Sequence, residues 1–79
     1  MSKFNFKVTR KEELIGWYEI TCDHLSLMYK LKDYQGWEDT VNEWLADIWD
    51  QEDLWEDQED LWYEVYDANT MEKLEVLPQ

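Results

Sequence analysis

TRKEELIGWYEITCDHLSLMYKL, residues 9–31, carries a helical signature along its whole length. Thr9, with Glu12 three positions later, forms a capping box. The hydroxyl accepts from an orphan backbone N–H while the carboxylate reaches back to the cap. Leu14, Trp17, Tyr18, Thr21, Cys22, Leu25, Met28 and Tyr29 then follow the i, i+3, i+4, i+7 spacing of an amphipathic helix. Gly16 weakens such a helix by about 1 kcal/mol. Leu25, Leu27, Tyr29 and Leu31 also alternate, so a strand is the rival reading of the second half; the longer helical pattern is preferred.

Outward from this segment, Phe4-Asn5-Phe6-Lys7-Val8 alternates apolar and polar residues as a strand does. Lys32 to Gly36 reads as a connection. A second helix is expected from near Gly36, with Trp37, Val41, Trp44, Leu45 and Ile48 on its core face. Glu38 and Asp39 then fall in a first turn, where the helix dipole favours negative charge. Asp50-Gln51-Glu52-Asp53-Leu54-Trp55-Glu56 is repeated as Asp57-Gln58-Glu59-Asp60-Leu61-Trp62-Tyr63, with six of seven positions identical. Two copies are fewer than the roughly three units a solenoid needs. If helical, the repeat puts both Leu-Trp pairs on one face, beside the acidic clusters. Leu61 to Tyr66 is rich in strand formers, Asp67 to Thr70 reads as a turn, and Met71 to Leu77 contains the alternating Leu74 and Val76. A hairpin is predicted there, although its turn lacks Asn-Gly or Asp-Gly. The expected fold is α+β and one domain over residues 1–79. It has a small antiparallel three-stranded sheet, from about residues 4–8, 62–67 and 71–77, with two or three helices packed on one face.

The chain has 79 residues, of which six are Trp, five Tyr and two Phe. These aromatics supply the core that a disordered acidic tail lacks. The single Cys22 excludes an internal disulfide. No apolar run approaches the roughly 18 residues of a membrane-spanning helix. Met1-Ser2-Lys3-Phe4 lacks the apolar segment of a secretory leader, so a cytoplasmic protein with no membrane partner is expected.

The formal net charge is −13, unevenly distributed. Residues 1–32 carry six Lys/Arg and four Asp/Glu, a net of +2. Residues 33–67 carry 14 Asp/Glu and no Lys, Arg or His, a net of −14. Residues 68–79 contribute −1, from one Lys and two Glu. Such a field repels nucleic acid and anionic membrane and attracts basic surfaces.

Catalytic groups are scarce. His24 is the only His, and the two Gly form no phosphate-binding loop. Cys22 lies two residues before His24; on a helix these positions face different directions, so Cys22 reads as a small core residue. No enzyme activity and no cofactor are expected. The acidic repeat offers hard oxygen ligands, but counting from Asp50 an EF-hand loop finds Leu54 and Trp55 where it needs a ligand and Gly. No His pair is spaced for zinc, so no dedicated metal site is expected.

The surface chemistry therefore lies in the acids and tryptophans. Trp17, Trp37 and Trp44 are expected in the core. Trp49, Trp55 and Trp62 compete with Leu54 and Leu61 for the interior, so at least one is expected to be an exposed interface anchor. Asp39–Glu43, Glu52–Glu56, Asp53–Asp57 and Glu56–Asp60 are repulsive i, i+4 pairs if helical, each costing about 0.2–0.5 kcal/mol. A small domain that accepts this cost uses the charge. The partner-binding set is Asp47, Asp50, Glu52, Asp53, Trp55, Glu56, Asp57, Glu59, Asp60 and Trp62. On a helix Asp50, Asp53 and Asp57 are spaced about 4.5–6 Å along the axis, comparable to backbone phosphates.

In size, acidity and aromatic content, carried by residues 33–67, the chain resembles the small DNA-mimic inhibitors encoded by bacteriophages. These include anti-restriction proteins, anti-CRISPR proteins and uracil-DNA glycosylase inhibitors. The resemblance is one of composition; it implies no particular fold and carries no site residue over. It implies an inhibitor, in the host cytoplasm if phage-encoded, that occupies the basic nucleic-acid-binding surface of a defence nuclease or a DNA-repair or transcription enzyme. The chain itself then touches no nucleic acid, and a homodimer is compatible with the sequence. The alternatives are an antitoxin or immunity-type protein neutralising a basic toxin, and an acidic regulatory or structural interaction subunit.

Overall fold

Where the helical spacing of residues 9–31 predicts one long helix, a computed structural model covering residues 2–78 has a strand, a break and a short helix. The elements are β1 (Lys3–Arg10), β2 (Glu13–Thr21), α1 (Asp23–Leu31), α2 (Tyr34–Glu52), a 3₁₀ turn (Trp55–Asp60), β3 (Leu61–Asp67) and β4 (Lys73–Leu74). They form an α+β fold whose antiparallel sheet has four strands in the order β2-β1-β3-β4, not three.

The extra strand has a physical reason. Glu13–Thr21 contains Ile15, Trp17, Tyr18, Ile20 and Thr21, all β-branched or aromatic and favoured in strands. The helical stripe left both isoleucines off its face, whereas the strand buries Ile20 and packs Ile15 and Tyr18 on the core. Leu14 and Trp17, which the helical reading buries, are 55% and 45% exposed. The capping box is also overturned. Thr9 lies within β1, paired with Leu14 and Trp62, and Glu12 lies with Lys11 in a two-residue hairpin turn at φ 71° and 48°. That turn matches the right-handed strand twist but here lacks the Asn or Gly that would announce it.

Helical structure begins only at Asp23. Leu25 and Met28 are buried while Leu27, Tyr29 and Leu31 are exposed, so residues 25–31 follow the helical and not the strand period. Lys32 closes α1 in the left-handed region, its N–H bonding back to the helix carbonyls. Asp33 then caps α2, its Oδ1 accepting from the Gly36 N–H at 3.1 Å. The core face of α2 is Trp37, Thr40, Val41, Leu45, Ile48 and Trp49; Trp44 is only half-buried.

The acidic repeat does not form one helix. The first copy spans the end of α2, a left-handed cap at Asp53 (φ 54°) and the start of the 3₁₀ turn. The second copy finishes that turn and enters β3. Heptads alike at six of seven positions thus take different conformations, because Leu54 (6% exposed) is drawn into the core while Leu61 starts a strand beside Arg10. This break takes Glu52–Glu56 and Asp53–Asp57 out of one continuous helix, so the i, i+4 geometry behind those two expected repulsions does not apply. The last strand is also shorter than residues 71–77. Met71 is left-handed (φ 60°), and only Lys73 and Leu74 pair with β3. Asp67 organises the preceding turn by accepting from the Asn69 and Thr70 N–H groups.

The helices cover one face of the sheet. Phe4, Phe6 and Val8 of β1, with Ile20 and Val65 beside them, meet Leu25, Val41, Leu45 and Ile48 in a single core.

Candidate partner-binding surface

The helix that closes the core also sets out the charge. With Trp37, Val41, Leu45 and Ile48 turned inward, Asp39, Glu43, Asp47 and Asp50 recur at i, i+4, i+8 and i+11 along the outward side of α2. All four are exposed. At the C-terminal end the chain adds exposed Glu52, Asp53, Glu56 and Glu59. Trp55, 45% exposed, folds back on the helix and its Nε1–H donates to Asp50 Oδ1 at 2.6 Å. That bond fixes an indole at the edge of the acidic row.

Not all of the expected set belongs to this surface. Asp57 accepts from Arg10 at 2.9 Å, and Asp60 faces Lys11 at 3.7 Å, so these two carboxylates hold the β1–β2 turn against the 3₁₀ turn. Trp62 is 65% exposed but lies on the opposite face of the sheet, because its neighbours Leu61 and Tyr63 point to the core. Of the expected set the structure therefore leaves Asp47, Asp50, Glu52, Asp53, Trp55, Glu56 and Glu59 exposed and outside the ion pairs among the described residues, and it joins Trp55 to Asp50; Glu52, two positions past Asp50, turns away from the row towards Tyr18. The structure neutralises Asp57 and Asp60, and it removes Trp62. Asp39 and Glu43 extend the row and are absent from the expected set. The sequence carries their signal in the spacing by four of 39, 43 and 47, outside the conspicuous repeat.

Sequence reasoning also missed a cleft of about 270 Å³ at the other end of α2, with Tyr34, Glu38, Tyr63, Glu64 and Glu75 in its walls. The Tyr34 hydroxyl hydrogen-bonds Glu38, and that bond followed by the carboxylate charge raises the tyrosine pKa. Tyr63 is raised chiefly by burial and then by Glu38, and Tyr18 by burial and then by Glu52. Lys73 is raised by its hydrogen bond to Glu64 and by that charge. All four shifts have the same consequence. A raised folded pKa makes the unfolded chain release its proton first, so this stability is fully present below the unfolded values of about 10 and lost above them. The melting temperature is therefore expected to fall as pH rises past about 10, in step with tyrosinate absorbance. A melting temperature unchanged through tyrosine ionisation contradicts it.

Among the described residues no three of His, Cys, Asp and Glu come together to hold a metal ion. The carboxylates are strung along a surface instead of converging on a point. Cys22 is half-buried at the start of α1, and its N–H donates to the Ser2 carbonyl. No helix among the described residues is long and apolar enough to cross a membrane. Compared with known proteins, the chain matches no family, no curated protein and no solved structure.

Proposed function

We propose that this protein is an acidic DNA-mimic inhibitor that occupies the basic nucleic-acid-binding surface of a target protein and blocks it. The observation that carries this reading is the row Asp39, Glu43, Asp47 and Asp50, with Glu52, Asp53, Glu56 and Glu59 exposed around and beyond the end of the helix. None of these eight carboxylates faces a Lys or Arg at ion-pairing distance among the described residues. The helix rise spaces the first four by about 6, 6 and 4.5 Å. One strand of duplex DNA carries a charge every 3.4 Å or so of axis, and the carboxylates beyond Asp50 add density at that end. Lys and Arg side chains that take phosphates take carboxylates by the same charge-assisted hydrogen bonds. Because α2 is anchored by its buried face, little ordering of the row is left to do on binding. Trp55 supplies an apolar anchor at its edge.

The test is capture and release. The immobilised protein is exposed to a bacterial lysate at low salt, and bound proteins are eluted with duplex DNA or with polyglutamate at equal charge. A mimic retains DNA-binding proteins, releases them more readily to DNA than to polyglutamate, and holds them less tightly as salt rises. If the captured proteins bind no nucleic acid and both polyanions elute them equally, the reading fails in favour of bulk charge directed at a basic toxin.

A further inference from the structure

The side of the sheet turned away from the helices is bare. With Phe4, Phe6 and Val8 of β1 in the core, alternation sends Lys3, Asn5, Lys7 and Thr9 outward. Cross-strand pairing then puts Trp17 and Glu64 beside Lys7, Glu19 and Tyr66 beside Asn5, and Leu14 and Trp62 beside Thr9. Leu14, Trp17, Trp62 and Met71 are each between 45% and 65% exposed, and Met71 reaches this side through its sulfur contact with Asn5. Trp17 and Tyr66 meet over β1 with ring centroids 5.3 Å apart, and Lys7 Nζ lies 5.8 Å from the Trp17 centroid. A fixed aromatic centre on an uncovered sheet is the composition of an interface.

The charge on this face identifies what covers it. Lys3, Lys7 and Lys73 stand against Glu19 and Glu64, and exposed Glu75, beside Lys73 and alternating with buried Leu74 and Val76, brings the face to neutrality, while the whole chain carries −13. The rest of the molecule therefore carries the full −13. A basic partner drawn to α2 meets three lysines here, and a nucleic acid meets three glutamates. A second copy of this chain fits better, because the face holds both signs: about a two-fold axis each copy's lysines can lie against the other's glutamates. It is also the side on which two strongly acidic copies approach with least repulsion.

We propose that this sheet face is a homodimer interface, with two copies packed sheet against sheet and Trp17 and Tyr66 at the centre. Three strands of seven to nine residues and a fourth of two cover roughly 400 Å² in projection. A pair then buries on the order of 800 Å², below the standard size of a stable interface, so the dimer is weak and transient. It leaves both acidic helices facing outward, on opposite sides of the particle. The proposal does not rest on the DNA-mimic reading, and its salt dependence has the opposite sign. Two like-charged copies associate more tightly as salt screens them, whereas a basic target is held less tightly.

Sedimentation equilibrium on the full chain, from about 1 µM to about 500 µM at low and high salt, decides it. The expected weight-average mass rises from the monomer's 9.8 kDa towards twice that value, at lower concentration in about 0.5 M salt than in about 0.02 M. Trp17→Glu is expected to weaken association at least tenfold with an unchanged circular dichroism spectrum. Lys7→Glu, which keeps the apolar surface, reports on the charge pairing if Trp17→Glu fails to fold, and is expected to weaken association as well. Trp55→Ala, on the other layer, leaves it unchanged. A mass fixed at the monomer value over the whole range overturns the proposal, as does a dimer indifferent to both sheet-face variants.

Discussion

Phe6→Ala is expected to remove a large share of the protein's stability. Phe6 is fully buried on the central strand, between Tyr18 of β2 and Val65 of β3 in the ladder, and beneath the helices. Removing a ring from such a site costs about 3–5 kcal/mol, from lost burial and the cavity left behind. A chain of 79 residues has about 4–12 kcal/mol of stability in all, at the usual 0.05–0.15 kcal/mol per residue. At about 4–8 °C per kcal/mol for a domain of this size, the melting temperature should drop by some 15–30 °C. Trp62→Ala removes a larger side chain but an exposed one, and should shift the melt by only a few degrees. Thermal denaturation of the two variants side by side makes the comparison. A Phe6→Ala variant melting within about 5 °C of the parent would mean that the sheet is not packed as described.

The second large effect concerns the acidic row. Asp39→Lys, Glu43→Lys and Asp47→Lys together should weaken binding to the basic target by roughly a thousandfold, about 4 kcal/mol, mostly through slower association. The variant keeps the repulsive i, i+4 pattern with its sign inverted, so stability should hardly change. Its net charge is −13 plus 6, or −7. Glu12→Lys, Glu13→Lys and Glu72→Lys reach the same −7 from exposed acids outside the row. Titration calorimetry or surface plasmon resonance on both triples separates pattern from quantity. Equal loss in the two would show that only bulk charge matters. Asp57 and Asp60 are poor choices for reversal, because Arg10 and Lys11 already hold them and their loss disturbs the hairpin.

What could be read from the residues follows a physical division. Lys3–Arg10 and α2 announce themselves, since alternation in one and the 3.6-residue spacing of Trp37, Val41, Leu45 and Ile48 in the other are set by burial on a single face. Glu13–Thr21 misleads because its apolar residues satisfy a helical period while their shapes favour a strand. Only pairing with β1 decides between them, and that is a tertiary matter. The left-handed residues Lys11, Glu12, Asp53 and Met71 carry none of the usual Gly or Asn markers, so the hairpin turn, the break in the repeat and the late start of β4 left no local trace. For the site, the concentration of charge was legible along the chain. The intramolecular pairing of Asp57 and Asp60, and the placement of Trp62 on the other layer, depend on which strands are neighbours.

The strand order also bears on how the protein folds. β1 lies between a strand two residues away along the chain and one that begins about fifty residues later. The near partner is joined through Lys11 and Glu12, whose backbone angles disfavour the turn in isolation. The early hairpin therefore gains little from local propensity and waits for β3 to arrive and fix β1 from the other side. Closing that long loop sets the barrier, and the rate belongs to the slower, non-local class despite the small size. During that wait the aromatic strands β1 and β2, which carry Lys3, Lys7 and Arg10 against Glu13 and Glu19, stand open to other chains, and the net −13 of each whole chain keeps the chains apart until the last long strand docks.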